Sequence, residues 1–277
     1  MPPEQRVGAP PGAGRARARS LVVLRAGDAS LHPQWIAAAE RDFDLFISYY
    51  GNTPGRWREH ADGYEERRGP KWPALADLLR ERPELLNDYA TFWFPDDDLA
   101  ASAPTIDRMF AFFKAYQLAL AQPALTRDSY FTWNTLLQDP SCHLRFGGFV
   151  EVMAPIFSRE ALRVCLPTFG QSTSGWGLDW VWPVLLRRAG LERLAIIDAT
   201  PVRHTRPPGG ELYRNHPQMD PRRDAETLLR SYGLLEVRAV AKYSFGHRVR
   251  ETPLPLHQRL LFGLKRLNGR RKHARAG

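Results

Sequence analysis

The sequence predicts an α/β protein: a mostly parallel sheet flanked by helices, in a single domain with a C-terminal appendage. Three observations carry this. Short runs of β-branched and aromatic residues, the pattern of buried strands, alternate with longer segments whose apolar residues recur at helical spacing. Strand, helix and strand follow one another within the first fifty residues, which is the opening of a parallel sheet. And 277 residues, 43% of them hydrophobic and 25% charged, are enough to bury one full core.

Residues 1–19, rich in Pro, Gly, Ala and Arg, read as a disordered basic tail. The ordered region opens at Ser20-Leu-Val-Val-Leu-Arg25, a buried strand broken by Gly27-Asp28-Ala29-Ser30. A helix is expected over 32–41, with Pro33 in its first turn, then a strand over 44–50 closed by Gly51-Asn52. Residues 53–70 are charged and loop-like. Leu75, Leu78 and Leu79 place a helix over 71–82, and an aromatic strand follows over 87–95. Further helices are expected over 105–121, 158–166 (capped by Ser158) and 176–188, where the pattern runs through Pro183. Strands are expected over 149–153 and 194–198. Past Pro221 come a helix over 224–232, a strand over 235–242 and an apolar, basic helix over 256–267. We therefore divide the chain into 1–19, a catalytic domain over 20–220, and an appendage over 221–277 that ends in a basic tail.

The net charge of +9 is concentrated at the termini, in Arg15, Arg17 and Arg19 and from Lys265 to Arg275. No helix-turn-helix, zinc-finger or aromatic RNA-binding signature accompanies it, so no specific nucleic-acid partner is expected. No run of residues is long and apolar enough to span a bilayer, and a cytoplasmic protein is expected. The last helix could lie on the inner face of an anionic membrane or dock on the domain. Cys142 and Cys165 have neither disulfide-framework nor metal-site spacing and are expected as buried thiols.

Chemistry concentrates at the expected strand ends. Asp96-Asp97-Asp98 closes an aromatic strand, where ligands of open α/β sheets bind. Three adjacent carboxylates need a neutralising cation or solvent, and carboxylates one residue apart can share a hard cation with a diphosphate. A solvated turn or a helix cap is the plain alternative. In Ser174-Gly-Trp-Gly-Leu-Asp-Trp180, the glycines suit a tight loop presenting Trp176 as an aromatic wall. Asp179 either takes a proton from an attacking hydroxyl or charges a helix start. His204, a few residues past a buried strand, is either a metal-completing imidazole or structural, with Asp198 as a supporting acid. Asp28 and Ser30 could touch a base or ribose and Lys71 a phosphate, although Ser30 could equally cap a helix. Glu151 is either a buried acid or half of an ion pair.

Lys71-Trp72, Phe94-Pro-Asp-Asp-Asp-Leu99, Gln122-Pro-Ala-Leu125, Gly148-Phe-Val-Glu-Val-Met-Ala-Pro-Ile-Phe-Ser158, Gly175-Trp-Gly-Leu-Asp179 and Ile197-Asp198 with His204 occur in this order between Ser20 and Pro208. In this they resemble a family of unknown function, numerous in plants, whose members often carry a lysine-ketoglutarate reductase trans-splicing label. No Gly-x-Gly-x-x-Gly dinucleotide loop is present to support a reductase. That family in turn resembles glycosyltransferases of the GT-A fold. The resemblance implies a GT-A-like (Rossmann-like) catalytic domain and a nucleoside diphosphate sugar donor, UDP-linked, with a glycan or lipid-linked acceptor. It implies Mn²⁺ or Mg²⁺ held by Asp96 and Asp98 (with Asp97) and by His204, and Asp179 as the base. The competing expectations are a non-catalytic nucleotide- or glycan-binding protein and a metal-dependent phosphoesterase.

Overall fold

The computed structural model describes residues 20–38, 40–207, 219–235 and 245–249. The expected basic tails, the strand over 235–242 beyond its first residue and the helix over 256–267 lie outside them. Strands β1 (Ser20–Ala26), β2 (Asp44–Tyr49), β3 (Gly63–Glu66) and β4 (Thr91–Trp93) are followed by β5 (Leu99–Ala100), β6 (Leu120–Leu125), β7 (Leu144–Gly147) and β8 (Ile156–Ser158). The last two are β9 (Leu194–His204) and β10 (Phe245–Val249). The sheet order is β10-β7-β9-β6-β8-β4-β1-β2-β3, with β5 paired to β9 off that path.

Following the pairings, β1, β2, β3, β4, β6, β9 and β10 all point the same way, while β7, β8 and the short β5 oppose them. The sheet is mostly parallel, as expected. One consequence matters for function. The carboxyl ends of β1, β2, β4, β6 and β9 emerge along a single edge, and the segment leading into β8 enters at that edge too. The Asp96 N–H there donates to the Met153 carbonyl at 2.8 Å and the Phe94 N–H to that of Pro155 at 3.0 Å.

Helices α1 (Lys71–Glu81), α2 (Glu84–Asp88), α3 (Ala103–Ala115), α4 (Arg159–Cys165), α5 (Leu178–Arg188) and α6 (Pro221–Ser231) flank the sheet. Ser102 caps α3 and Ser158 caps α4, each hydroxyl accepting an N–H of the first turn. An aromatic cluster ties three of the site-bearing elements together. Trp72 of α1 meets Phe169 at 4.6 Å and Trp182 of α5 at 4.9 Å, edge to face; Phe94, just past β4, lies 5.8 Å from Phe169; Phe157 of β8 lies 5.1 Å from Trp182. Lys71, Asp96 and Asp179 each sit within three residues of one of these rings. Their positions are thereby fixed by close packing, which tolerates little displacement. Cys142 and Cys165 are buried free thiols, as expected.

Several elements depart from expectation, each for a local reason. The helix expected over 32–41 is a single 3-10 turn, His32–Trp35. Residues 37 and 38 are exposed, so no apolar face continues to repay the cost of further turns. Gly63–Glu66, inside the expected loop, forms the charged edge strand β3. The helix expected to reach residue 121 stops at Ala115, and Leu120–Leu125 becomes β6 despite Pro123. No strand forms over 149–153. The Glu151 N–H is taken by the Gln122 side chain at 2.5 Å, and the strands lie on either side as β7 and β8.

β9 outlasts its expected end at residue 198 and reaches His204. Residues 198–201 face only Ala124 of β6, a bulge that re-aims the second half of the strand. A buried ion pair supports this bulge: Arg145 Nε and Nη2 donate to the two oxygens of Asp198 at 2.8 and 2.9 Å, with both side chains at most 2% exposed. Arg145 also donates to the Thr135 and Leu137 carbonyls, so the pair fixes the 134–138 turn to β9. Arg145→Ala leaves the Asp198 carboxylate without its counter-charge in the interior. A loss of about 3–5 kcal/mol in denaturant unfolding is expected; a loss under about 1 kcal/mol would show that the pair does not hold the bulge.

Candidate active site

The three aspartates follow β4 at the common carboxyl edge, and each is met by a cation from a different element. Asp96 Oδ1 accepts from Lys71 Nζ, the first residue of α1, at 2.6 Å. That ammonium also donates to the Val152 and Met153 carbonyls at 3.1 Å, which uses all three of its protons. The Asp97 carboxylate accepts from the Gly27 N–H at 2.8 Å, Arg206 Nη1 at 3.2 Å and the Tyr50 hydroxyl at 3.4 Å. It thereby joins the ends of β1 and β2 to the segment after β9. Asp98 Oδ2 lies 3.2 Å from His204 Nε2. Asp98 Oδ1 is buried and accepts no hydrogen bond among the described residues.

Electrostatics follow from this geometry. Burial raises Asp97 to about 6, against the opposing Gly27 N–H and Arg206. Burial disfavours the His204 imidazolium, but Asp98 and the Tyr130 carbonyl outweigh it and raise His204 to about 9. His204 Nδ1 lies 2.9 Å from that carbonyl, which can only accept, so Nδ1 carries a proton and Nε2 faces the carboxylate. Glu151 is raised to about 8, by burial first and then by the charge of Asp179, with Asp96 acting in the same direction. Asp179 itself is buried in the first turn of α5.

The structure thus brings Asp96, Asp97, Asp98, Lys71 and His204 into one network and places Glu151 and Asp179 within electrostatic reach of each other. Gly175 and Gly177 take positive φ angles of 81° and 94°, and Trp176 between them is 38% exposed. Asp28 and Ser30 lie past β1, on the Asp97 side. The Asp28 carboxylate accepts from the Tyr49 hydroxyl and, at 2.9 Å, from the Asn52 N–H, bracing the turn after β2. The Ser30 hydroxyl bonds the His32 ring at 2.8 Å, and the 3-10 turn has no side-chain cap. Asp198 is committed to Arg145. Among the described residues, no three His, Cys, Asp or Glu side chains form a cluster suited to a metal ion.

Sequence reasoning missed Arg206, Tyr50, Gly27 and Tyr130. Arg206 had a signal, a second basic residue two positions past His204. Gly27 and Tyr130 act through the backbone, where side-chain identity carries no signal.

A family described as "Protein of unknown function (DUF707)" matches residues 135–242, and its description carries no reductase or trans-splicing label. No curated protein sequence matches the chain. Among solved structures, GalNAc-T7 with UDP, GalNAc and Mn²⁺ aligns with a TM-score of 0.55 at 10% identity, over 78% of this chain and 48% of that one. TarS 1–349 of S. aureus aligns with a TM-score of 0.44 at 11% identity, over 67% of this chain and 60% of that one. The chain therefore spans at most 60% of the length of these two neighbours. Its α/β fold is that of the GT-A glycosyltransferases.

The Glu151 environment has a measurable consequence. The folded protein keeps this proton at pH values where the unfolded chain has released it, so folding is penalised progressively from about pH 4.5 to about 8. Glu151→Gln removes the penalty. In urea unfolding the variant should match or trail the parent at pH 4 and exceed it at pH 8 by about 2 kcal/mol or more. An equal difference at both pH values would show that Glu151 titrates normally.

Proposed function

We propose that the chain is a glycosyltransferase that moves a sugar from a nucleoside diphosphate donor, with UDP the expected nucleotide, to a hydroxyl acceptor. The observation that carries this is the Asp98–His204 pair. A buried carboxylate with one oxygen lacking a partner faces an imidazole nitrogen at the carboxyl edge of the sheet, within electrostatic reach of the half-buried Glu151, which Asp179 in turn adjoins. The shared fold with a transferase solved with UDP, GalNAc and Mn²⁺ supports the same reading.

A divalent cation fits this pair. Hard cations that work on nucleotides are commonly held by one or two protein side chains, with phosphate oxygens and water completing the shell, so the lack of a three-residue cluster is compatible with one. Asp98 and His204 would hold it, and a mixed oxygen–nitrogen donor set suits Mn²⁺. Bound there, the cation would neutralise charge developing on the departing diphosphate.

The other roles belong to the protein's own groups. Asp96, held by Lys71, and Asp97, held by Gly27 and Arg206, keep Asp98 in place rather than ligating. This narrows the expectation that Asp96 and Asp98 ligate together. The three protons of Lys71 are spent, so it acts on phosphate through charge and not contact. Asp28 and Ser30 shape the side of the cleft past β1, where base and ribose would lie. Asp179 takes the proton of the acceptor hydroxyl as its oxygen bonds to the anomeric carbon and the bond from that carbon to the diphosphate breaks. Glu151 holds its own proton beside Asp179.

Donor hydrolysis and transfer with a panel of nucleoside diphosphate sugars and Mn²⁺ test this. Asp98→Asn and His204→Ala should each lower turnover by about 10²–10³-fold, and Asp179→Asn should lower transfer by about 10²–10⁴-fold. Full activity in all three variants would sink the site assignment. UDP binding without turnover across many acceptors would favour a binding protein, and phosphate release from simple esters a hydrolase.

A further inference from the structure

The first turn of α5, which carries Asp179, is weak by its own sequence. Its N-cap is Gly177, at a φ of 94°, and no side chain there accepts an N–H of the turn. An uncapped helix start leaves backbone donors to be satisfied from elsewhere. Pro183 weakens the same turn from the other side. It has no N–H to give the Asp179 carbonyl one turn earlier, and a proline ring crowds the carbonyl at that spacing. Gly175 and Gly177, both at positive φ, add backbone freedom that folding must remove.

Support for the turn comes from α6. Asp224, in the first turn of that helix, accepts from the Ser174 N–H at 2.8 Å. Ser174 Oγ accepts from the Trp176 N–H at 3.3 Å, and the Trp176 carbonyl accepts from Ser172 Oγ at 3.0 Å, so the restraint at Ser174 passes along the loop. Ser174 is buried and Asp224 half-buried, which shields their bond from water. α6 also closes on the cap itself: a Cβ at Gly177 would meet Ala225 Cα at 3.1 Å and Leu228 Cδ2 at 3.2 Å. Just past the helix, the Tyr232 hydroxyl donates to Gln171 Oε1 at 3.1 Å, ahead of the same loop. The helix is well anchored. Asp220 caps it by accepting from the Arg222 and Arg223 N–H groups, and Ala225, Leu228 and Leu229 are buried along one face.

We propose that Asp224 is a positioning residue for Asp179, so that the catalytic unit runs past residue 220 and includes α6. The proposal rests on the glycosyltransferase reading, in which Asp179 takes the acceptor proton. A hydrogen bond from a backbone N–H to a carboxylate is charge-assisted and directional. With it made, the two glycines are held to one backbone path, and Asp179 is kept near Glu151. Without it the Ser174 N–H loses its acceptor, and an uncapped turn is left to pivot on Gly175 and Gly177. A displacement of about 1 Å at a reacting group can cost about 10²-fold in rate.

Glu151 reports where Asp179 is, because the charge of Asp179 is the second cause, after burial, of its raised titration. Carboxyl NMR of the full chain with ¹³C-labelled glutamate, assigned with Glu151→Gln, follows that titration. In Asp224→Ala the Glu151 midpoint should fall by about half a pH unit or more. Asp224→Asn, whose amide oxygen still accepts from Ser174, should keep the parent's midpoint, although it too lacks the Asp224 charge. With a panel of nucleoside diphosphate sugars, Asp224→Ala should lower kcat for transfer about 10–10²-fold and leave the Kd for UDP with Mn²⁺ within about twofold, and Asp224→Asn should restore kcat. Should Asp224→Ala fail to fold, Asp224→Glu, which shifts the carboxylate by one methylene, is read in the same way. A folded variant in which Glu151 titrates as in the parent overturns the proposal, and so does an Asp224→Asn that behaves like the alanine variant. If the midpoint shifts as expected but the parent transfers no sugar, the positioning of Asp179 stands and the glycosyltransferase reading falls.

Discussion

Three carboxylates in a row at the end of one strand repel one another, and burying them raises that cost. The site exists because Lys71, Arg206 and His204 arrive from separate parts of the chain to meet Asp96, Asp97 and Asp98 in turn. Each pairing also tethers an element. Lys71 fixes the start of α1 to the segment entering β8, and Arg206 and Gly27 bring the ends of β9 and β1 to Asp97. His204 draws the extended second half of β9 against Asp98. Removing Arg206 or His204 leaves Asp97 or Asp98 as a buried charge without its partner, so these pairs enforce their own geometry.

The pairings are not equivalent, and their differences give the site its polarity. Asp97 has both carboxylate oxygens met by donors, and Asp96 has one held by Lys71. Asp98 keeps one oxygen bare, and the nitrogen that faces its other oxygen belongs to a side chain able to shed its proton. In the proposed function, an incoming cation would compete there with a proton instead of with a permanent ion pair. Away from the triplet, burial and the neighbouring Asp179 hold a proton on Glu151.

β9 shows how a structural device serves this chemistry. Its first half is an ordinary central strand, zipped to β6 and β7. At Asp198 the ladder breaks, and the strand turns outward to pair with β5, carrying His204 beside Asp98. The Arg145–Asp198 pair makes that break possible by satisfying the acid and anchoring the adjoining turn. Asp198, expected as a supporting acid, thus serves the backbone, and the strand it reshapes carries His204 to Asp98.

Much of this was legible in the sequence. The alternation of buried strands and helices, the strand-end aspartates, the Gly-Trp-Gly turn and the cap at Ser158 are encoded in local patterns, because periodicity and turn chemistry act over a few residues. Where local signals were weak or contradictory, the reading failed. Pro123 disguised β6, and the apolar run around Phe149 looked like a strand although its backbone is claimed by Gln122. The roles within the acidic triplet could not be read at all. Which aspartate stays partly unpaired depends on cations 25, 109 and 106 positions away in the chain. The sequence by itself determined that a mostly parallel sheet would carry acids at its edge. Only the tertiary structure decided which acid meets which cation, because that is set by long-range packing and desolvation, to which local sequence patterns are blind.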